Sequence, residues 1–283
     1  MATSDHEASV RSIEAGGGRG QLHPMVGRLV YVGKRAWMPA ALAGVWQFVA
    51  AWLLPRWDPM ASVLLPPPST VIRTGVEMFA RGEILWDVLA SLKRELLGVG
   101  LAAVGAIPLG VAIGWWRGFG EAVSSVFDFL RPIPALAWIP LSILWFGIGD
   151  TQNQFVIFVA SFFPMLLNTI AGVKGVDRNL IRAGLCLGAG QWALLRKVII
   201  RGALPHVLVG VRIGVGIGWM ALVAAELVGA TSGLGFVITN ARNVLRSDQI
   251  MLGMVAIGMI GLCMDGLLRL LIVRLIPWHE SVR

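Results

Sequence analysis

Three groups of residues in this chain have types and spacing that could do work. The first is the segment 174–205, KGVDRNLIRAGLCLGAGQWALLRKVIIRGALP, a basic amphipathic insert in an otherwise apolar sequence. The second is a set of single ionisable residues inside long apolar runs: Arg212, Glu226, Asp265, Arg269 and Arg274. The third is Arg131-Pro132-Ile133-Pro134, two prolines at the head of another apolar run. Signs of bond-making chemistry are missing. A phosphate-cradling loop needs a glycine-rich turn ending in Gly-Lys-Ser/Thr, and the one Gly-Lys pair, Gly33-Lys34, is followed by Arg35. His6, His23, His206 and His279 are dispersed, no HExxH occurs, and Cys186 and Cys263 lack metal-ligand spacing. The chain therefore reads as a non-enzyme that binds no cofactor, metal or nucleic acid of its own.

The 174–205 segment predicts a bent pair of helices. Residues 178–187 form one, with Leu180, Ile181, Leu185 and Leu187 as apolar points. Gly188-Ala189-Gly190 breaks it, and a second helix runs over 191–201 as far as Pro205. Such an elbow, with Leu185 and Leu187 at its tip, can seat in a groove of a soluble partner and pass motion to the helices on either side. It can equally lie on a membrane surface and bind anionic lipid. Spacing alone leaves both open.

The ionisable residues need partners, because a charge at mid-bilayer costs ~2.5–3.5 kcal/mol on insertion scales. Arg212 precedes Glu226 by fourteen residues, roughly 21 Å along a helix, so the two cannot meet. Glu226 is then either one half of a salt bridge to another helix or part of a gate. Asp265 and Arg269 stand one turn apart, which predicts an i,i+4 pair. Pro132 and Pro134 free backbone carbonyls and predict a kinked helix lining a cavity.

Of the 283 residues 56% are hydrophobic and 14% are charged, and the mean hydropathy is +0.74. That is an integral membrane composition. The windows 36–55, 96–116, 132–149 and 151–173 contain no charged residue, and 206–230 and 250–276 carry only isolated ones. Each is near the ~20 residues that cross a bilayer as a helix, so six spans are expected. The net charge of +8 is explained by basic loops on the cytoplasmic side. Segment 174–201 has six basic residues against Asp177 alone, whereas 231–249 has two basic and one acidic. The first belongs inside and the second outside, which puts both termini in the cytoplasm. Segment 56–95, with five basic and five acidic residues, is uninformative, and an interfacial helix is expected over 69–81. Residues 1–34 read as a disordered cytoplasmic tail without a signal-peptide core, and 35–283 as one membrane domain. Gly110, Gly114 and Gly118, like Gly210, Gly214 and Gly218, recur every four residues and predict close helix contacts.

A resemblance runs through about 65–280. Leu65-Pro66-Pro67-Pro68-Ser69-Thr70-Val71, Ala90-Ser91-Leu92-Lys93-Arg94 and Ile107-Pro108-Leu109-Gly110 come in order. They are followed by Leu130-Arg131-Pro132-Ile133-Pro134-Ala135-Leu136-Ala137-Trp138-Ile139-Pro140-Leu141 and Leu144-Trp145-Phe146-Gly147-Ile148-Gly149. Arg182-Ala183-Gly184 with Gly188 and Leu204-Pro205, then Ala224-Ala225-Glu226-Leu227, Gly233-Leu234-Gly235-Phe236 and Pro277-Trp278-His279, complete the set. Together they resemble the permease subunit of the nitrate/sulfonate/taurine group of ABC importers, leaning to the taurine branch. The resemblance implies an all-α type I importer domain in a bacterial inner membrane, working as a homodimer. It implies two copies of a separate ATPase, which would hold the ATP and Mg, and a periplasmic or extracellular substrate-binding protein. The 174–205 loop becomes the coupling loop, with Arg182, Ala183, Gly184, Leu185, Leu187, Gly188, Ala189 and Gly190 docking the ATPase. Arg131, Pro132, Pro134, Trp138 and Glu226 fall to the path or gate. The implied cargo is taurine or another sulfonate, with nitrate or another small solute as the alternative and an ion-coupled secondary transporter as a remote one. Two positions depart from the family pattern. Arg182-Ala183-Gly184 stands where Glu-Ala-Ala is common, and Val198–Arg201 stands where Ile-x-Leu-Pro is usual.

Overall fold

The structure, a computed structural model, describes residues 37–38, 40–57 and 61–276. The readings on the 1–34 tail, on Lys34 and Arg35, and on Pro277-Trp278-His279 lie outside the described residues. The chain divides into two compact units at Ser62. In the first, α1 spans 40–57 and includes a π-helical stretch at Val49–Leu53. It coincides with the charge-free window 36–55.

The second unit has helices and no strand among its described residues. After Leu65-Pro66-Pro67, α2 (Pro68–Ala80) starts with proline at its first position, where no N–H is needed. It matches the helix expected over 69–81. Gly82, at φ +74°, turns the chain into α3 (Glu83–Trp115). Then come α4 (Arg117–Leu130), α5 (Ile139–Phe146), α6 (Asp150–Lys174) and α7 (Arg178–Cys186). The next helix, α8, is unbroken from Gln191 to Gly229, through a π-helical stretch at Leu195–Ile199. It is followed by α9 (Leu234–Asn243) and α10 (Ser247–Leu275). Thr74 on α2 donates to Asp248 on α10 at 2.8 Å. Arg246, just ahead of that span, is held above its ordinary pKa chiefly by its hydrogen bond to Asp248.

Among the described residues four helical segments are long and apolar enough to cross a membrane, or five if α4 and the 135–146 segment form one bent span. Two expectations change here. The window 132–149 is not a straight crossing: α5 has eight residues, about 12 Å of helix, against a ~30 Å hydrocarbon core. The chain bends by 80° between α4 and the 135–146 segment, and the bend falls at Pro132 and Pro134, which cannot continue a helix hydrogen-bond ladder. The elbow's second helix likewise does not stop at Pro205. That proline sits buried inside α8, because losing one N–H removes a single ladder bond and neighbouring helices hold the backbone in place.

The core is a three-helix stack built on glycine. Gly98, Gly110 and Gly114 on α3 face Ile157, Thr169 and Val173 on α6. The partners advance together, so these helices run parallel. Gly210, Gly214 and Gly218 on α8 face Asn168, Met165 and Ser161, in descending order, so α6 and α8 are antiparallel. Without side chains at these points the backbones approach closely and gain dispersion contacts, which in lipid replace the hydrophobic drive. The second glycine row packs as expected. In the first, Gly118 falls beyond α3 and has nothing within 4 Å of where a Cβ would be. That contrast sets up a matched pair of variants. A Cβ at Gly110 would lie 2.7 Å from Thr169 Cβ and 3.1 Å from the Leu166 carbonyl. Gly110→Val should therefore destabilise by about 1–3 kcal/mol or more, and Gly118→Val should not. Thermal unfolding of the two purified variants checks this, and equal melting temperatures would refute the packing scheme.

Candidate functional site

Two polar constructions occupy opposite ends of α8. At its C-terminal end, α3 contributes Asp87, Ser91 and Arg94, residues spaced to share one helix face. Arg94 is 2% exposed and makes four bonds. Its Nη1–H donates to Glu226 Oε1 at 2.9 Å and to the Ser232 carbonyl at 2.6 Å, its Nη2–H to Ser232 Oγ at 2.8 Å, and its Nε–H to Asp150 Oδ1 at 2.7 Å. Glu226 also accepts from Ser91 Oγ–H at 2.8 Å and from the Gly235 N–H at 2.9 Å. Ser91 Oγ in turn accepts from Leu234 N–H, and Asp87 accepts from Gly233 N–H at 2.7 Å. The 230–233 turn is thus tied to α3, and through Arg94 to the start of α6. Two glycines make this possible. Gly233 has φ +109° and its Cβ would overlap the Glu226 carboxylate, while a Cβ at Gly235 would sit 2.8 Å from the Val223 carbonyl.

Beside this knot lies a second buried polar set. Both oxygens of Glu95 and both side-chain polar atoms of Asn153 have no hydrogen-bond partner among the described residues. Glu95 faces the gap at Gly218, next to Ser161. Buried groups of this kind are uncommon in folded proteins.

At the N-terminal end of α8 is the elbow. Asp177 caps α7, its carboxylate accepting from Asn179 N–H at 2.8 Å. The helix ends in a two-bond αL cap: Gly188 has φ +76°, its N–H donates to the Leu185 carbonyl, and Ala189 N–H donates to the Gly184 carbonyl. Gly184 is where the two arms touch. A Cβ there would lie 2.8 Å from Leu194 Cδ1, so the arms close most tightly with no side chain at this position. At the tip Leu187 is 88% exposed, and Leu185 and Trp192 are exposed beside it. Trp192 packs edge-on to Trp116 at 6.4 Å. Among the described residues no ion pair holds Arg178, Arg182, Arg196, Lys197 or Arg201, nor Arg117 and Lys174 across a cavity of about 680 Å³ behind the elbow.

The sequence-derived candidates fall into three places. Arg182, Ala183, Gly184, Leu185, Leu187, Gly188, Ala189 and Gly190 come together in the elbow. Arg131, Pro132 and Pro134 form the exposed bend after α4, and Trp138 beyond it stacks edge-on against Phe155 at 6.3 Å. Glu226 is not joined to that bend, since its polar partners are Arg94, Ser91 and Gly235. It meets the expectation of a salt bridge to another helix. The Asp265–Arg269 pairing is corrected, because Asp265 instead takes a two-bond fork from Arg212 on α8. Arg212 reaches both carboxylate oxygens at once, at 2.6 and 2.8 Å, the stronger form of the contact. Sequence reasoning missed Asp87, Ser91 and Arg94 as a site by treating 56–95 as a mixed loop. Their helical spacing was the available signal.

Comparison with known proteins agrees with this architecture. Residues 106–278 match the family described as binding-protein-dependent transport system inner membrane component. The taurine transport system permease protein TauC of Escherichia coli K12 is 38% identical over 86% of this chain and 89% of its own. The nitrate import permease protein NrtB of Leptolyngbya laminosa is 29% identical over 73% of this chain and 76% of its own. The crystal structure of an amino acid ABC transporter with histidines shares the fold at a TM-score of 0.58 and 17% identity, over 70% of this chain and 97% of that one. An all-helical membrane domain with this match belongs to the inner-membrane components of binding-protein-dependent transport systems, and is a transport subunit of an ABC importer rather than an enzyme.

Proposed function

We propose that this chain is the permease of an importer for taurine or another small sulfonate, and that it works as a homodimer with two copies of an ATPase subunit. A soluble binding protein delivers the cargo at the outer face, and the ATPases dock on the 174–205 elbows from the cytoplasm. ATP and Mg belong to those subunits. Both termini then lie inside, in keeping with the basic elbow. Nitrate is the alternative cargo, on the likeness to the nitrate permease.

One observation carries the mechanical part: the elbow and the Arg94–Glu226 knot are the two ends of a single helix. From Gln191 to Gly229, α8 is unbroken, about 58 Å at 1.5 Å per residue. A displacement of the exposed Leu187 tip moves one end of this rod, and the turn at 230–233 sits at the other. Closing of the ATPases draws the elbows together and rotates the rods, and Glu226 acts as the latch that holds the outer turn until they move. The bend at Arg131, Pro132 and Pro134, with Trp138 behind it, lines the path between the copies. This is rigid-body alternating access driven from outside the membrane.

The test is reconstitution of the chain with its cognate ATPase and binding protein in proteoliposomes. Taurine-loaded binding protein should raise ATP hydrolysis several-fold above the unloaded protein, and nitrate should not. Failure of any ATPase to associate with the purified chain would overturn the reading. Stimulation by nitrate alone would overturn the cargo.

A further inference from the structure

The ion pair between α8 and α10 belongs to neither the elbow nor the knot. Arg212 Nε–H donates to Asp265 Oδ1 at 2.6 Å and Nη2–H to Oδ2 at 2.8 Å. Both residues lie well within apolar helices, yet their side chains are 41% and 49% exposed. Two half-open ions facing hydrocarbon would be expensive on any scale, so ionisable groups in spans are turned to protein or to water-filled cavities. This face of α8 and α10 is therefore turned away from lipid. The pair borders a small cleft of about 50 Å³. Trp219 forms one wall, with its indole N–H already donated to the Ile257 carbonyl at 3.2 Å. Gly261 backs onto that ring, and Gly216 leaves the cleft open, with nothing within 4 Å of where its side chain would begin.

The chemistry of such a pair is selective. A guanidinium fork takes an anionic head with two oxygens in place of the carboxylate. The released carboxylate then needs a cation. A solute carrying both an anionic group and an ammonium supplies both replacements, and each half of the pair exchanges one partner for another of the same sign. A simple anion such as nitrate satisfies Arg212 but leaves Asp265 unpaired and repelling it. The cleft as it stands holds little more than water, so the two ions part as the solute enters, and the glycine at Gly216 leaves room for a short one.

We propose that Arg212 and Asp265 form a subsite on the translocation path for a small zwitterion, the aminosulfonate class, with the anionic group on Arg212 and the ammonium on Asp265. This rests on the importer reading above.

The experiment measures equilibrium binding of radiolabelled taurine to the permease–ATPase complex in nanodiscs, with ethanesulfonate, which lacks the amine, as competitor. Wild type should bind taurine in the millimolar range or tighter and prefer it to ethanesulfonate by at least tenfold. Asp265→Asn should abolish that preference, and Arg212→Gln should remove binding of both. Because an unpaired charge within a span is costly, the double variant Arg212→Met with Asp265→Leu is the control. Replacing both ions by apolar residues leaves no unpaired charge in the span, so this variant should fold and assemble with the ATPase, yet not bind taurine. Taurine binding equal to wild type in the double variant, or none in wild type, would overturn the subsite. Assembly and stimulation by loaded binding protein, followed in parallel, report on the importer reading separately. If those survive while the double variant binds normally, only the subsite fails.

Discussion

Arg94→Met should lower the stability of the folded chain by about 3–5 kcal/mol, the loss typical when one partner of a buried ion pair is removed. The size follows from what is left behind. Arg94 and Glu226 are both essentially inaccessible, and without the guanidinium the Glu226 carboxylate keeps only Ser91 and the Gly235 N–H. Ser232 loses the donors to both its carbonyl and its hydroxyl, so the 230–233 turn keeps only the Asp87–Gly233 and Ser91–Leu234 bonds to α3. The partner Asp150 is half exposed and keeps Lys93 at 3.7 Å, an exposed contact that contributes little. Thermal unfolding in a fixed detergent should show a fall on the order of 10 °C. The sharper test is the double variant Arg94→Met with Glu226→Gln. Removing the stranded charge should recover part of the loss, giving a coupling energy of about 1 kcal/mol or more between the sites. Additive effects would mean that the pair is not the keystone of this end of the bundle.

The second large effect concerns the elbow tip. Leu187→Asp should weaken association with the ATPase by thirtyfold or more, on the order of the 2 kcal/mol that marks a central apolar anchor. It should leave the melting temperature of the chain alone unchanged. Leu187 is 88% exposed, so it contributes almost nothing to the fold, and the αL cap at Gly188 is made by backbone groups that the substitution does not touch. In a docked groove, by contrast, the aspartate carboxylate would have to shed its water without a partner. Co-purification and titration of the ATPase against variant and wild-type nanodiscs measure this directly. Unchanged affinity would show that the tip does not enter a groove, and a loss of melting temperature would show that it is part of the core. Gly184→Ala is the contrasting variant, since it disturbs the contact between the arms at Leu194 rather than the surface they present.

Much of the fold was legible in the sequence, because its causes are local. An apolar run near twenty residues, free of charge or carrying isolated ions, favours a helix in lipid, and α3, α6, α8 and α10 all follow such runs. The α7 helix and its glycine stop were equally readable, since an Asp cap and an αL glycine act within a few residues. Where the reading failed, the cause was longer in range. The window 132–149 satisfied the length rule, but two prolines at its head made it the second arm of a bend. Pro205 looked like a terminus, yet packing carried the helix through it. Gly118 continued a repeat in the sequence that α3 itself did not reach.

The charged residues divide the same way. Sequence alone established that Glu226, Arg212 and Asp265 required partners, since ions in apolar helices are too costly to stand alone, and that Arg212 and Glu226 were too far apart to be each other's. It named Arg269 for Asp265, which the fold overruled in favour of Arg212, and named no partner for Glu226 or Arg212. Arg94 lies 132 residues from Glu226, and Arg212 lies 53 from Asp265. Both meetings depend on the rotation and register of α3, α6, α8 and α10 about their own axes. Backbone contacts at Gly98, Gly110, Gly210, Gly214 and Gly218 set much of that register. Helix formation is decided within a window of the chain, whereas the facing of one helix to another is decided by the fit of all of them at once, and only the tertiary structure holds that information.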